Sequence, residues 1–237
     1  MPALLSAMDL RAGYGAGDVL QGVSIDVAQG EIVAVLGRNG VGKSTLMKSL
    51  IGLLPLRSGK VLFKNGDVTS ERADRRARRG MGYVPQGREI FPHMSVADNL
   101  RMGRFIRSGK GDDKTLLDEI CGYFPFLRDR MAQRGGTLSG GQQEMLSIAR
   151  ALNGNPELFL LDEPSDGVQP SIVQEIGDFL LKLVKQRPIG VLIVEQNIDL
   201  IQTVAGRAYV MDKGRIVASI DKKTIADTEA LSRFLSI

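Results

Sequence analysis

The chain has 237 residues, 43% hydrophobic and 24% charged, with a net charge of +4; this is ordinary globular composition, too mildly basic to argue for nucleic acid. Its single cysteine, Cys121, excludes an internal disulfide, and no stretch reaches the roughly 20 apolar residues of a membrane span. The start, MPALLSAMDL, lacks the basic opening and apolar run of a secretory signal, so a cytoplasmic protein is expected.

In chain order, VSIDVAQG sets Val23, Ile25 and Val27 against polar neighbours and predicts a half-exposed strand. EIVAVLG (31–37) is continuously apolar, as in a strand covered on both faces. A glycine-rich turn and the helical pattern STLMKSLIGLL follow at once. GKVLFKNGDV predicts a short strand entering a tight turn at Asn65-Gly66. ERADRRARRG (71–80) holds five arginines, and MGYVPQG predicts a strand stopped by Pro85 and Gly87. From about 92 to 150 helical patterns dominate, opened by the capping pair Ser95 and Asp98, with RSGKGDDK (107–114) as a polar loop. ELFLLDEP predicts a third covered strand, IVQEIGDFLLKLV a helix and GVLIVEQ a fourth strand. RAYVMDKGRIVASI predicts a hairpin around Asp212 to Gly214, and KKTIADTEALSRFLSI a terminal helix with Leu231, Phe234 and Leu235 on one face. Covered strands alternating with helices imply an α/β fold with a mostly parallel core sheet flanked by helices. Residues 1–237 read as one domain, with a helical insertion at about 92–150.

GRNGVGKST (37–45) fits G-x-x-x-x-G-K-[ST] from Gly37 to Ser44, between a covered strand and a helix. Glycines in such a loop let backbone N–H groups curl around phosphates, and the next helix adds its N-terminal dipole. Gly37, Arg38, Asn39, Gly40, Val41, Gly42, Lys43, Ser44 and Thr45 are therefore the candidate nucleotide-binding segment. Lys43 is expected to bridge the β- and γ-phosphates and Ser44 to bind Mg²⁺. LFLLDEP (158–164) ends an apolar strand in adjacent carboxylates, at the sheet edge where ligands bind. Asp162 is placed to hold Mg²⁺ or its water shell, and Glu163 to orient and deprotonate an attacking water. In LSGGQQEMLSIARAL (138–152) the apolar spacing predicts a helix after Ser139-Gly140-Gly141. That is a second helix N-terminus suited to phosphate. Phosphates in the first loop are already cradled, so this site is expected to serve a nucleotide held by another subunit.

The sequence resembles the ATP-binding-cassette (ABC) ATPases over nearly the whole chain, with the motifs in the family's order: phosphate loop, YVPQG with Gln86, LSGGQQ at 138–143 and LFLLDEP. The resemblance implies a P-loop NTPase fold with an antiparallel β subdomain and an α-helical subdomain. It also implies a head-to-tail dimer sandwiching two ATPs, with Ser139, Gly140 and Gly141 on the partner's γ-phosphate. By the same resemblance Gln86 would contact Mg²⁺ or the lytic water. Tyr14 stands where the family stacks an aromatic on adenine; a plain strand tyrosine is the alternative.

Two departures stand out. Most family members carry a switch histidine after the strand matching 191–194; here the position is Gln196, which can donate to phosphate but cannot carry a proton. The only histidine, His93, lies at the start of the helical stretch and cannot fill that role. After LFLLDEP the family has a small-Ala-Leu-Asp run, whereas this chain reads Ser165-Asp166-Gly167-Val168-Gln169-Pro170. VEQN, GREIFP and DGVQPSI resemble the ATPases of importers for branched-chain amino acids and for urea or short amides, closest to the urea type. The resemblance implies two membrane-spanning permease subunits, a second related ATPase subunit or a second copy, and an extracytoplasmic binding protein. It places the chain peripherally on the cytoplasmic face of the membrane. The competing class, an ABC ATPase acting on nucleic acid or ribosomes, would need long coiled coils or a second cassette, and neither is present. The arginine run, without interleaved aromatics, reads as a solvated helix face or a contact to acidic neighbours rather than a nucleic-acid patch.

Overall fold

The computed structural model describes residues 3–105 and 113–235. The first part of the chain runs β1 (Ala3–Ala12), β2 (Leu20–Ala28), β3 (Ile32–Leu36), α1 (Lys43–Ile51), β4 (Ser58–Phe63), β5 (Gly66–Asp67), α2 (Ala73–Arg78) and β6 (Met81–Val84). A helical stretch follows: α3 (Val96–Arg104), α4 (Asp113–Tyr123), α5 (Phe126–Asp129), a 3₁₀ turn Gly135–Thr137 and α6 (Gly140–Leu152). Then come β7 (Leu158–Asp162), α7 (Pro170–Gln186), β8 (Gly190–Glu195), α8 (Ile198–Val204), β9 (Arg207–Asp212) and β10 (Arg215–Asp221). The chain ends in α9 (Lys222–Ala226) and α10 (Thr228–Leu235). Most of the loop expected at 107–114 lies outside the described residues; its last two positions, Asp113 and Lys114, open α4.

One sheet is antiparallel, in the order β2-β1-β4-β5; the other runs β10-β9-β3-β8-β7-β6, parallel throughout except for the β9–β10 hairpin. β3, β7 and β8 are buried at every position, because each of their faces meets a different core. Val33 and Val35 pack with α1 and the antiparallel sheet, while Ile32, Ala34 and Leu36 pack with the helices on the opposite side. That two-sided cover is why these strands read as unbroken apolar runs. In register, Leu36 pairs with Glu195 and Asp162 with Val194. The loops after β3, β7 and β8 therefore leave the sheet at one edge, where a ligand site belongs.

Three local expectations need correction. Phe63 pairs with Gly66, so the tight turn is Lys64-Asn65, at φ 52° and 63°, rather than Asn65-Gly66. Both turn residues are left-handed, as this hairpin type requires. The terminal segment is two helices, because the Asp227 carboxylate accepts from the N–H groups of Glu229 and Ala230 and starts a new one. Leu231 is buried and Phe234 packs beside it, while the Leu235 side chain lies outside the described residues. Finally, the arginine run is not uniformly solvated. Arg76 is 2% exposed, and its guanidinium donates to the carbonyls of Ser49, Leu50, Thr69 and Glu71. It thereby gives the Leu50 carbonyl at the C-terminus of α1 a donor and adds a second to the Ser49 carbonyl, which also accepts the Gly52 N–H. Among the described residues, no helix is long and apolar enough to cross a membrane.

Candidate functional site

The loop from Gly37 to Gly42 joins β3 to α1 through left-handed glycines, with Gly40 at φ 82° and Gly42 at φ 112°. Gly37 is required by packing: a Cβ there would lie 2.4 Å from the Met211 carbonyl oxygen. α1 starts at Lys43 with no side-chain cap, so its first N–H groups and its positive dipole end face the loop. The Lys43 ammonium folds back over this loop, donating to the carbonyls of Gly37 at 2.7 Å and Arg38 at 3.0 Å. It also pairs with Glu163 Oε1 at 2.9 Å. Ser44 Oγ donates to Asp162 Oδ1 at 3.0 Å, and the Tyr83 hydroxyl donates to Asp162 Oδ2 at 3.2 Å. Burial pushes the Asp162 carboxyl above its ordinary range, against those two donors. Burial and the neighbouring Asp162 likewise push the Tyr83 phenol up, so it stays a donor.

Glu163 is the hub. Its N–H still reaches the Val194 carbonyl at 2.9 Å, but its backbone turns left-handed at φ 50°. A glutamate held there stores strain of the kind that collects at functional sites. Beside the Lys43 contact, Glu163 Oε2 accepts from Gln86 Nε2 at 3.2 Å and from Gln196 Nε2 at 3.3 Å. Gln86 also donates to Asp166 at 3.1 Å, and Gln196 to Asn39 Oδ1 at 2.7 Å. Residues widely separated in sequence thus converge on one open cavity of about 310 Å³, walled by Asn39, Gly40, Gly42, Lys43, Ser44, Thr45, Gln86 and Glu163. Every contact of the Glu163 carboxylate is with a donor that a phosphate oxygen could take over.

The geometry also explains why β8 ends in a carboxylate. Glu195 is 1% exposed. Its oxygens accept the N–H groups of Ser165 at 2.9 Å, Gln196 at 2.9 Å and Asn197 at 3.0 Å. It ties the loop after Glu163 to the turn that carries Gln196. Neither Glu195 nor Tyr83 was singled out from sequence as a site residue; for Glu195 the signal was a charge ending a fully covered strand.

Other sequence candidates lie apart. Tyr14 is 56% exposed in the loop between β1 and β2, so it is not a strand tyrosine. Ser139 is exposed and caps α6, accepting from Gln142 N–H, while the Gln142 side chain accepts Ser139 N–H. Gly140 and Gly141 have packing reasons too: a Cβ on Gly141 would lie 2.6 Å from Ile172. Among the described residues, no hydrogen bond or ion pair links Ser139, Gly140 or Gly141 to the phosphate loop or Glu163.

The donor set fits a triphosphate: an ammonium, an uncapped helix start and two amides surround one cavity. It also fits Mg²⁺, since Ser44 and Asp162 offer two adjacent oxygens; that cation typically takes few protein ligands and completes its shell with phosphate oxygens and water.

A family model described as ABC transporter matches residues 20–166. The high-affinity branched-chain amino acid transport ATP-binding protein BraG of Pseudomonas aeruginosa is 40% identical over 214 residues, covering 90% of this chain and 91% of that protein. The lipopolysaccharide export system ATP-binding protein LptB of Escherichia coli K12 is 36% identical over 237 residues, covering 98% and 96%. Among solved structures, the ADP conformation of MJ1267, an ATP-binding cassette of an ABC transporter, superposes with a TM-score of 0.85 at 27% identity over 98% of both chains.

Proposed function

The chain belongs to the ABC transporter family as an ATP-binding, ATP-hydrolysing subunit, and on that premise we propose that it powers an importer from the cytoplasmic face of the membrane. The observation that carries the catalytic part is the convergence of Lys43, Gln86 and Gln196 on the Glu163 carboxylate. In this reading the loop 37–45 binds the phosphates of ATP, with Lys43 leaving Glu163 for the β- and γ-phosphates. Tyr14 offers its exposed ring to adenine. Ser44, Asp162 and Gln86 would hold Mg²⁺, which supplies charge neutralisation on the phosphates when bound. Glu163, relieved of Lys43, accepts a proton from water, and Gln196 donates a hydrogen bond toward the γ-phosphate without exchanging a proton. Ser139, Gly140 and Gly141 complete the site of a partner cassette, either a second copy or a related subunit.

Two membrane-spanning subunits and an extracytoplasmic binding protein would complete the importer. Similarity to BraG, and to the probable branched-chain amino acid transport protein LivF of Archaeoglobus fulgidus at 36% identity, supports a branched-chain amino acid cargo. The motifs GREIFP and DGVQPSI support urea or short amides. The similarity to LptB favours export as the second reading. Action on nucleic acid is disfavoured, because Arg76 is buried while Arg78 and Arg79 pair with Asp74 and Glu71. The test is to purify the chain from gently solubilised membranes of its host. Co-purification of two multi-span proteins and a second cassette supports the importer, and the associated binding protein is then titrated with leucine, urea and amides. Recovery with an export assembly, or with ribosomes, overturns it.

A further inference from the structure

The turn after Gln86 has a use that the catalytic cavity does not explain. Gly87, Arg88 and Glu89 are consecutively left-handed, at φ 87°, 71° and 41°. Two of the three are not glycine, so the turn is held against its own preference. What holds it is α6 on one side and the loop after β7 on the other. Arg150 on α6 donates to the Glu89 carbonyl at 2.8 Å. The Arg88 guanidinium lies over Gly140, where a Cβ would sit 3.0 Å from its Nη1. Its Nη2 donates to the Gly167 carbonyl at 3.2 Å, and its Nε stands 3.9 Å from the carboxylate of Glu144. Glu144 is 4% exposed, and the nearby Asp166 and Glu195 add negative charge. One side chain therefore bridges the first turn of α6 and the loop four residues beyond Glu163.

We propose that Arg88 is a positioning residue that sets the signature turn, Ser139 to Gly141, in fixed relation to the Glu163 loop, so that α6 is pre-aligned for a partner's nucleotide. The flat, forked guanidinium suits this place. It fits flat against a glycine while one edge donates to the Gly167 carbonyl and its Nε faces the Glu144 carboxylate. This rests on the reading that the signature turn serves a nucleotide held by another cassette.

The experiment uses the full chain carrying Glu163→Gln to suppress turnover. Nucleotide affinity is measured with a fluorescent ATP analogue, and ATP-driven dimerisation by sedimentation velocity. Adding Arg88→Ala is expected to leave analogue affinity within about twofold and to weaken dimerisation by about tenfold, the scale of one lost charge-assisted hydrogen bond. It also leaves Glu144 buried without its cation, so thermal stability falls. Adding Glu144→Gln as well is expected to restore the melting temperature but not dimerisation. Arg88→Lys, which keeps the charge and loses the fork, is expected to fall between. Unchanged dimerisation in Arg88→Ala overturns the proposal. So does Glu144→Gln restoring both properties, since Arg88 would then be only a counter-charge. If the Glu163→Gln parent fails to dimerise with ATP, the signature reading beneath the proposal fails, and the proposal with it.

Discussion

Lys43 and Glu163 form an ion pair of 2.9 Å with side chains only 3% and 6% exposed. The cation expected to hold phosphate thus rests on the carboxylate expected to activate water. On the proposed reading a triphosphate entering the cavity would compete for Lys43, so its binding and the release of Glu163 would be one event. Without nucleotide, the pair is a buried charge pair whose members depend on each other. Lys43→Met is expected to destabilise the nucleotide-free protein by about 3 kcal/mol, because Glu163 is left buried and uncompensated. Lys43→Met/Glu163→Gln is expected to recover most of that loss. Urea unfolding of the four proteins checks it; additive losses in the double variant would show that the pair is not coupled.

Gln196 reaches Glu163 and Asn39 with one amide. Gln196→Ala is expected to lower turnover by about 10- to 100-fold, in the range of a lost preorganised donor. Gln196→His is expected to retain activity and to add an inflection near about pH 6.5 to a profile that otherwise lacks one there. Full activity in Gln196→Ala would end the switch assignment.

Burial, opposed by Arg88 and reinforced by Glu195 and Asp166, pushes the Glu144 carboxyl from 4.5 up to about 7. The folded state therefore holds this proton more tightly than the unfolded chain. Stability from Glu144 is fully present below about pH 4.5 and is lost as pH rises through about 7. Glu144→Gln removes the titration, so its stability relative to wild type should rise by about 2 kcal/mol between about pH 5 and about pH 8. Thermal unfolding across that range checks it; a constant difference contradicts it.

Arg76 donates to four carbonyls without a carboxylate among them. Arg76→Met is expected to cost about 2–4 kcal/mol, since four carbonyls lose a charged donor at once. Arg75→Met, on the exposed face of the same helix, is expected to cost less than about 0.5 kcal/mol. Equal losses in denaturant unfolding would show that the buried cap carries no special weight.

What was legible in the sequence follows from which signals are local. β3, β7 and β8 could be read because both faces are covered, and the phosphate loop because its spacing is the motif. β1 carries no clear alternation in the sequence, because Asp9 is left-handed and the pairing with β2 slips between Ala7 and Leu10. The tight turn moved by one residue because the pairing of Phe63 with Gly66, not dipeptide preference alone, sets its position. Arg76 and Glu195 look like surface charges in sequence. Their partners are backbone groups brought from other segments by the fold, and no periodicity encodes those. Gln196 could be singled out only through the resemblance, while its contact with Glu163 is a product of adjacent strand ends.

The central claim is that Glu163 is the base of an ATPase whose site is completed by a second cassette. The most direct measurement is ATP turnover by the purified chain as a function of protein concentration, for wild type and Glu163→Gln. Turnover per chain should rise with concentration in the wild type and fall by at least about 100-fold in Glu163→Gln at unchanged nucleotide affinity. Turnover per chain that is independent of concentration, or that survives Glu163→Gln, would contradict it.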